Sequence, residues 1–179
     1  MKKLLKTIVF AFWGFFSSCA QNPPAFLPEV KDPAFQKKLT SLLDFSMPVM
    51  GVKDLKKALD QKEPYLILDA REWEEYTVSH LPGARFAGYK DFDSRQWSDV
   101  SKDQLIVVYC SVGYRSEKIS KKLEKLGYTR VYNLYGSIFE WVNQGFQVVD
   151  EKGKPVQAVH TYNEDWSKWV NNAAIKKIW

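Results

Sequence analysis

Three observations predict an α/β fold in one domain, with a mostly parallel sheet covered by helices on both faces. Short apolar runs, among them Leu66–Leu68 and Leu105–Val108, have the length and β-branching of strands. Leu105–Val108 holds no polar residue, the pattern of a strand buried on both faces. Stretches with apolar residues at helical spacing separate the runs, and such alternation is the signature of βα units.

The elements follow in order. Lys31 to Phe45 reads as a short helix on Phe35, Leu39, Leu42 and Leu43, covering an edge of the domain. Val52 to Leu59 is helical, with Val52, Leu55 and Leu59 inward. Pro64 breaks the chain before the Leu66–Leu68 strand. Glu72 to Val78 reads as a helix with Trp73, Tyr76 and Thr77 toward the interior. Pro82-Gly83 turns into a short strand at Arg85-Phe86, and Asp91 to Trp97 is a loop or short helix. The Leu105–Val108 strand leads into a tight loop, and Ile119, Leu123 and Leu126 mark the next helix, Lys118–Gly127. Arg130-Val131-Tyr132 is a strand, and Gly136 to Asn143 a helix carrying Ile138, Phe139, Trp141 and Val142. In the tail, Trp166, Trp169, Ile175 and Ile178 suit a helix packed on the domain.

The chain has 179 residues, enough for one core plus extensions. Its net charge of +5 is modest, and no basic patch interleaved with aromatics is present, so nucleic-acid binding is not expected. Lys2, Lys3 and Lys6, the apolar run Thr7 to Phe16 and the small residues Ser17-Ser18-Cys19-Ala20 read as a signal peptide over 1–18. Small residues before a cysteine resemble a bacterial lipobox, which implies lipidation of Cys19 and an exported lipoprotein held on a membrane outside the cytoplasm. An ordinary secretory signal or an uncleaved anchor are the competing readings. The organisation expected is therefore a signal peptide (1–18), a tether and N-terminal extension (19–46), the main domain (47–150) and a C-terminal helical tail (151–179).

The chemistry concentrates where the Leu105–Val108 strand gives way to a helix. Cys110 stands there, followed by Ser111, Val112, Gly113, Tyr114, Arg115 and Ser116. A helix N-terminus presents unpaired N–H groups and partial positive charge, and a loop of converging amides cradles an anion. A thiolate in that place is stabilised. Arg115 adds a permanent cation, Gly113 relieves backbone constraint, and Ser116 offers a cap or a hydroxyl to the anion. A buried, inert structural cysteine is the plain alternative for a lone Cys.

This stretch resembles the active-site loop of the rhodanese family of sulfurtransferases, in which a cysteine and an arginine bracket a six-residue loop. Cys110 and Arg115 bracket such a loop here. Further stretches share the resemblance: Leu66 to Glu72 looks like that family's strand ending in Asp-x-Arg, and Ser79-His80-Leu81-Pro82-Gly83-Ala84 like its His-x-Pro-Gly-Ala motif. Asn133 to Ile138 with Trp141 looks like its late Gly-Gly-x-x-x-Trp segment, with Tyr135 replacing one glycine. The resemblance runs from about Pro48 to Val149. It implies a rhodanese-like three-layer fold and sulfur transfer through a persulfide on Cys110, with Arg115 binding an anionic donor. Related phosphatases have a loop one residue longer, so the short loop argues for a single sulfur atom over a phosphoryl group. The implied partners are a small sulfur donor such as thiosulfate, a thiol or cyanide acceptor or a protein acceptor, and a membrane through the anchor. A persulfide carrier without turnover, a protein-binding module at the cell envelope and a silent interaction domain are the alternatives.

Other candidates have plainer readings. Asp69 and Arg71 form either a structural ion pair or cap, or a pair supporting the site. His80, beside Pro82-Gly83, makes a turn hydrogen bond or donates a proton. The two histidines, His80 and His160, lie far apart without clustered ligands, so no metal and no other cofactor is expected. With Cys19 lipidated, Cys110 would be the only other cysteine, which excludes dithiol chemistry within one chain.

Overall fold

The computed structural model describes residues 23–179; the expected signal peptide (1–18) and Cys19 lie outside the described residues. The elements in chain order are α1 (Pro33–Leu42), β1 (Val49–Met50), α2 (Val52–Asp60), β2 (Leu66–Asp69), α3 (Trp73–Val78) and β3 (Arg85–Phe86). A 3-10 turn at Ser94–Trp97 precedes β4 (Ile106–Tyr109), α4 (Tyr114–Lys125), β5 (Val131–Leu134) and α5 (Ser137–Asn143). The chain ends with β6 (Val148–Val149), β7 (Pro155–Val156), β8 (Ala158–His160), α6 (Glu164–Ser167) and β9 (Lys176–Ile178).

The first five strands form one sheet in the order β1-β5-β4-β2-β3, and every pairing is parallel. Central β4 is buried at all four positions, as its unbroken apolar run requires. Its side chains divide by period two. Val107 and Tyr109 join a core with Phe35 and Leu39 of α1, Leu55 of α2 and Ile138 and Phe139 of α5. Ile106 and Val108 join the opposite core with Trp97 and Ile119 and Leu123 of α4. Helices therefore cover both faces, as predicted. The path runs outward from β2 to β3 and then returns through β4 to β5. The carboxyl ends of β2 and β4 flank that reversal, the usual place for a ligand crevice in open α/β sheets.

Two helices depart from their expected bounds by more than one residue. The N-terminal helix spans Pro33–Leu42, with Pro33 in its first turn and the Asp32 carboxylate accepting from the Ala34 N–H at 2.8 Å. It is part of the core, since Phe35 and Leu39 are fully buried. α4 starts at Tyr114, four residues before the expected Lys118, so Arg115 and Ser116 occupy its first turn. Glu117 on the same helix is buried and accepts the Asp44 and Ser46 N–H groups at 3.1 and 2.7 Å, tying α4 to the N-terminal extension.

The expected helical tail is corrected. Only Glu164–Ser167 is helical there; β7 pairs antiparallel with β6, and β8 pairs parallel with β9. At Asn171 and Asn172 hydrogen bonds to α5 and to Asp32 replace those of a continued helix. The Asn172 amide donates to the Val142 carbonyl at 2.8 Å, and the Asn171 N–H donates to the Asn143 side chain at 2.7 Å. Trp169 stacks on Phe35 with ring centroids 5.5 Å apart, so the tail packs on the domain as strands and loops.

Asp69 and Arg71 form a fully buried pair at the end of β2. The Asp69 carboxylate accepts from the Arg71 backbone N–H at 3.0 Å, Arg71 Nη2 at 2.7 Å and the Tyr109 hydroxyl at 2.6 Å. Arg71 Nη2 also donates to the Ser79 carbonyl at 2.6 Å. This network joins β2, β4 and the segment leading to β3. Removing one member of a buried ion pair leaves an uncompensated charge. Asp69→Ala should therefore lower unfolding stability by about 3–5 kcal/mol in a denaturant titration. A loss below about 1 kcal/mol, the value of a surface pair, would contradict the network's role.

Candidate active site

Cys110 lies one residue past β4, and α4 begins four residues later. The turn between them depends on Gly113, whose φ of +118° would strain a side chain. That backbone aims the Gly113 N–H at Cys110 Sγ, 3.1 Å away. The loop is held from below by α5. Gly136 and Ser137 take φ values of +73° and +51°, which bring the first turn of α5 under the loop. The Ile138 and Phe139 N–H groups then donate to the Cys110 and Ser111 carbonyls, each at 3.2 Å. The Ser137 hydroxyl accepts from the Cys110 N–H at 3.2 Å and donates to the Leu134 carbonyl at 3.0 Å. A Cβ on Gly136 would stand 2.6 Å from Glu140 Cβ, so glycine is required there. The motif around Gly136 thus supports the cysteine loop from a distance in sequence.

Asn133 closes the other side. Its amide donates to the Gly113 carbonyl at 3.0 Å, and its Oδ1 accepts the Ser116 hydroxyl at 2.7 Å. Ser116 Oγ stands 3.6 Å from the sulfur.

Cys110 is a free, buried thiol. Burial pushes that thiol up, but the Arg115 charge, Ser116 through its N–H and hydroxyl, and the Gly113 N–H together outweigh it. The thiol consequently ionises below its ordinary range, as expected for a sulfur at a helix N-terminus beside a cation.

Arg115 is not free. Its Nη1 and Nη2 donate to the two Glu75 carboxylate oxygens at 2.5 and 2.8 Å, and Nη2 also donates to Ser111 Oγ at 2.9 Å. Glu75 accepts in addition from the Ser111 hydroxyl at 3.1 Å and the Glu72 N–H at 3.0 Å. Burial pushes the Glu75 carboxyl up, while Arg115 first and Arg71 next pull it down, and the net is downward. Sequence reasoning missed Glu75, because it stands among Glu72 and Glu74 in what reads as a solvated helix turn.

The cleft above the sulfur has a volume of about 410 Å3. Cys110, Ser111, Val112, Tyr114 and Arg115 line its floor and one side. Glu72, Tyr89 and Lys90 contribute from the segments after β2 and β3, Leu42 from α1, and Tyr162 and Trp166 from the tail. Of the other expected site residues, Ser116 lies beneath the loop, while Asp69 and Arg71 are buried below it and do not line the cleft. His80 stacks on Tyr76 with centroids 3.9 Å apart, and its Nδ1 lies 3.2 Å from the Tyr76 carbonyl, a turn-stabilising place. Among the described residues no group of three or more His, Cys, Asp or Glu could hold a metal.

Comparison with known proteins agrees with this fold. A family model described as "Rhodanese-like domain" matches residues 51–144. The chain is 28% identical over 99 residues to the Bacillus subtilis protein named "Putative sulfur carrier protein YrkF", covering 55% of this chain and 53% of that protein. It is 41% identical over 91 residues to the tRNA uridine(34) hydroxylase of Oceanobacillus iheyensis, covering 48% of this chain but 28% of that enzyme. The chain thus spans about half the length, or less, of these two relatives. The solution structure of a rhodanese-like domain from Anabaena superposes with a TM-score of 0.54 at 26% identity, covering 57% of this chain and 79% of that one.

Alkylation by iodoacetamide as a function of pH reads the state of Cys110. Its midpoint should fall below the value of about 8.5 for an unperturbed thiol. Arg115→Gln should move that midpoint up by about one pH unit, since it removes the nearest cation. A wild-type midpoint at or above that of free cysteine would contradict thiolate stabilisation.

Proposed function

The chain belongs to the rhodanese-like family, and from that membership and the Cys110 loop we propose that it is a sulfurtransferase working through a Cys110 persulfide. One observation carries the reading most directly: Cys110 lines an open cleft with the Gly113 N–H 3.1 Å and Ser116 Oγ 3.6 Å from its sulfur and Arg115 on the same loop. In the first step the Cys110 thiolate attacks the outer sulfur of a donor. A Cys110 Sγ–S bond forms, the donor's S–S bond breaks, and its electron pair leaves on sulfite when the donor is thiosulfate. In the second step a nucleophilic acceptor, such as a thiol or cyanide, attacks the outer sulfur, and Cys110 departs as thiolate. This is covalent catalysis with ping-pong order.

The loop amides and the positive end of α4 serve the anion at each stage, since thiolate, persulfide and departing thiolate all place negative charge at one point. Ser116 brings a hydroxyl to within 3.6 Å of that charge. Arg115 holds the thiolate by its charge, while its geometry with Glu75 means that donor binding must share the guanidinium with a carboxylate. Glu75 and Ser111 position Arg115; Asp69 and Arg71 support the loop through the sheet end and Tyr109.

A second reading, a persulfide carrier that loads once and passes sulfur only to a specific protein, is favoured by the name of the Bacillus subtilis relative. We further propose, from the residue pattern Ser17-Ser18-Cys19, that the protein is exported and anchored on a membrane through lipidated Cys19. Among the described residues no helix is long and apolar enough to cross a membrane.

Intact mass of the protein after thiosulfate treatment tests the reaction. Wild type should gain one sulfur atom, lose it to cyanide and repeat the cycle, whereas Cys110→Ser should gain none. Loading without repeated turnover would favour the carrier. Folded protein that takes no sulfur from thiosulfate or from an organic donor would overturn the persulfide reading.

A further inference from the structure

The family match ends at residue 144, yet three residues beyond its limits line the cleft: Leu42, Tyr162 and Trp166. The placement of the two aromatic residues is constrained. Tyr162 has a φ of +68°, a strained conformation for a large side chain that packing and hydrogen bonds must hold. Its N–H donates to His160 Nδ1 at 3.1 Å, and the flanking Thr161 N–H donates to the Ile178 carbonyl of β9 at 2.6 Å. The resulting turn sets the Tyr162 ring 5.5 Å from the Arg115 guanidinium. Trp166 sits on α6, whose start is capped by the Asn163 side chain accepting the Trp166 N–H at 3.1 Å. The partly buried Trp166 packs against the core that includes Phe35 and Leu39. The tail therefore brings two aromatic residues to the rim of the cleft, Trp166 partly buried and Tyr162 more than half exposed above Arg115.

Charge and size indicate what that rim receives. The charged groups lining the cleft are Glu72, Lys90 and Arg115, and Arg115 is already paired with Glu75. These two acids and two bases cancel, so the cleft offers no surplus cation to a dianion approaching a thiolate. Its volume of about 410 Å3 lies in the range of about 300–1,000 Å3 typical of sites for organic ligands. The rest of its surface is mainly aromatic and aliphatic, from Leu42, Tyr89, Val112, Tyr114, Tyr162 and Trp166.

We propose that Tyr162 and Trp166 form a specificity wall that fits the Cys110 site to organic sulfane-sulfur compounds with an apolar body, in preference to inorganic thiosulfate. The inference rests on the persulfide reading and names the substrate class for it. For a thiosulfonate anion the step balances simply. The Cys110 thiolate bonds to the terminal sulfur, the sulfur–sulfur bond of the donor breaks, and the electron pair leaves on the organic sulfinate. No oxidant or reductant is consumed. The apolar body lies against the tail while its sulfur reaches the floor, and burial of that body supplies binding that thiosulfate lacks.

The test compares two donors with the same reacting group, methanethiosulfonate and benzenethiosulfonate, with thiosulfate beside them. Single-turnover loading of Cys110 is followed by intact mass in wild type, Tyr162→Ala, Trp166→Ala and Tyr162→Phe, each checked for folding by circular dichroism. The ratio of benzene- to methanethiosulfonate rates cancels any general damage to the thiol. It should fall about tenfold in each alanine variant, a loss of about 1.4 kcal/mol of discrimination. Tyr162→Phe, which keeps the ring, should retain the preference. A ratio that stays the same in folded alanine variants would overturn the wall while leaving the persulfide reading intact. No loading of wild type by any of the three donors would overturn both.

Discussion

The need to stabilise the ionised form of a sulfur that is almost wholly buried is the constraint from which the architecture follows. Burial alone would keep Cys110 protonated. The chain counters it with dipoles and one cation: the Gly113 N–H, the first turn of α4 and Arg115. None of these can be supplied by local sequence alone. Gly113 keeps its backbone angle because Asn133 and Leu43 enclose it, and the loop carbonyls stay down because α5 donates to them. The strand order places β4 centrally, so β5 delivers Asn133 to the loop while β2 delivers Asp69 to the Tyr109 hydroxyl at its base.

The two buried ion pairs divide the work. Asp69 and Arg71 are fully enclosed and join strand ends, so their contribution is to the rigidity of the platform. Glu75 and Arg115 have side-chain exposures of 3% and 14%, Arg115 lines the cleft, and the pair shares Ser111 with the loop. A carboxylate beside the arginine weakens the cation's pull on the sulfur, yet it also keeps a buried guanidinium in one orientation. Arg115 thereby acts through a fixed position, where a mobile side chain would average its field over many.

Much of this was legible in the sequence, and the reasons it stopped are physical. The Leu105–Val108 run announced a central strand because a strand buried on both faces cannot carry polar residues. Cys110, Gly113 and Arg115 announced a site because their chemistry is specific at that spacing. The true start of α4 was hidden, since Tyr114, Arg115, Ser116 and Glu117 interrupt the amphipathic pattern; those residues face the loop and the N-terminal extension. Glu75 was hidden because its partner lies forty positions away. In the tail, the spacing of Trp166, Trp169, Ile175 and Ile178 mimicked a helix. Spacing does not register that Asn171 and Asn172 find better partners on α5, or that β8 offers β9 an open edge. The cleft's outer wall, built by that tail, was accordingly beyond reach of sequence.

If the buried thiolate exists for sulfur relay, the loaded protein must be a competent intermediate by itself. The decisive measurement isolates that half-reaction. Persulfidated protein, freed of donor by gel filtration, is mixed with an excess of a thiol acceptor, and the sulfur on Cys110 and on the acceptor is followed in time. The account predicts that each loaded Cys110 gives up one sulfur to the acceptor with no donor present, regenerating a thiol that loads again. Persulfide that persists while the acceptor gains sulfur only when donor is present would contradict covalent relay through Cys110.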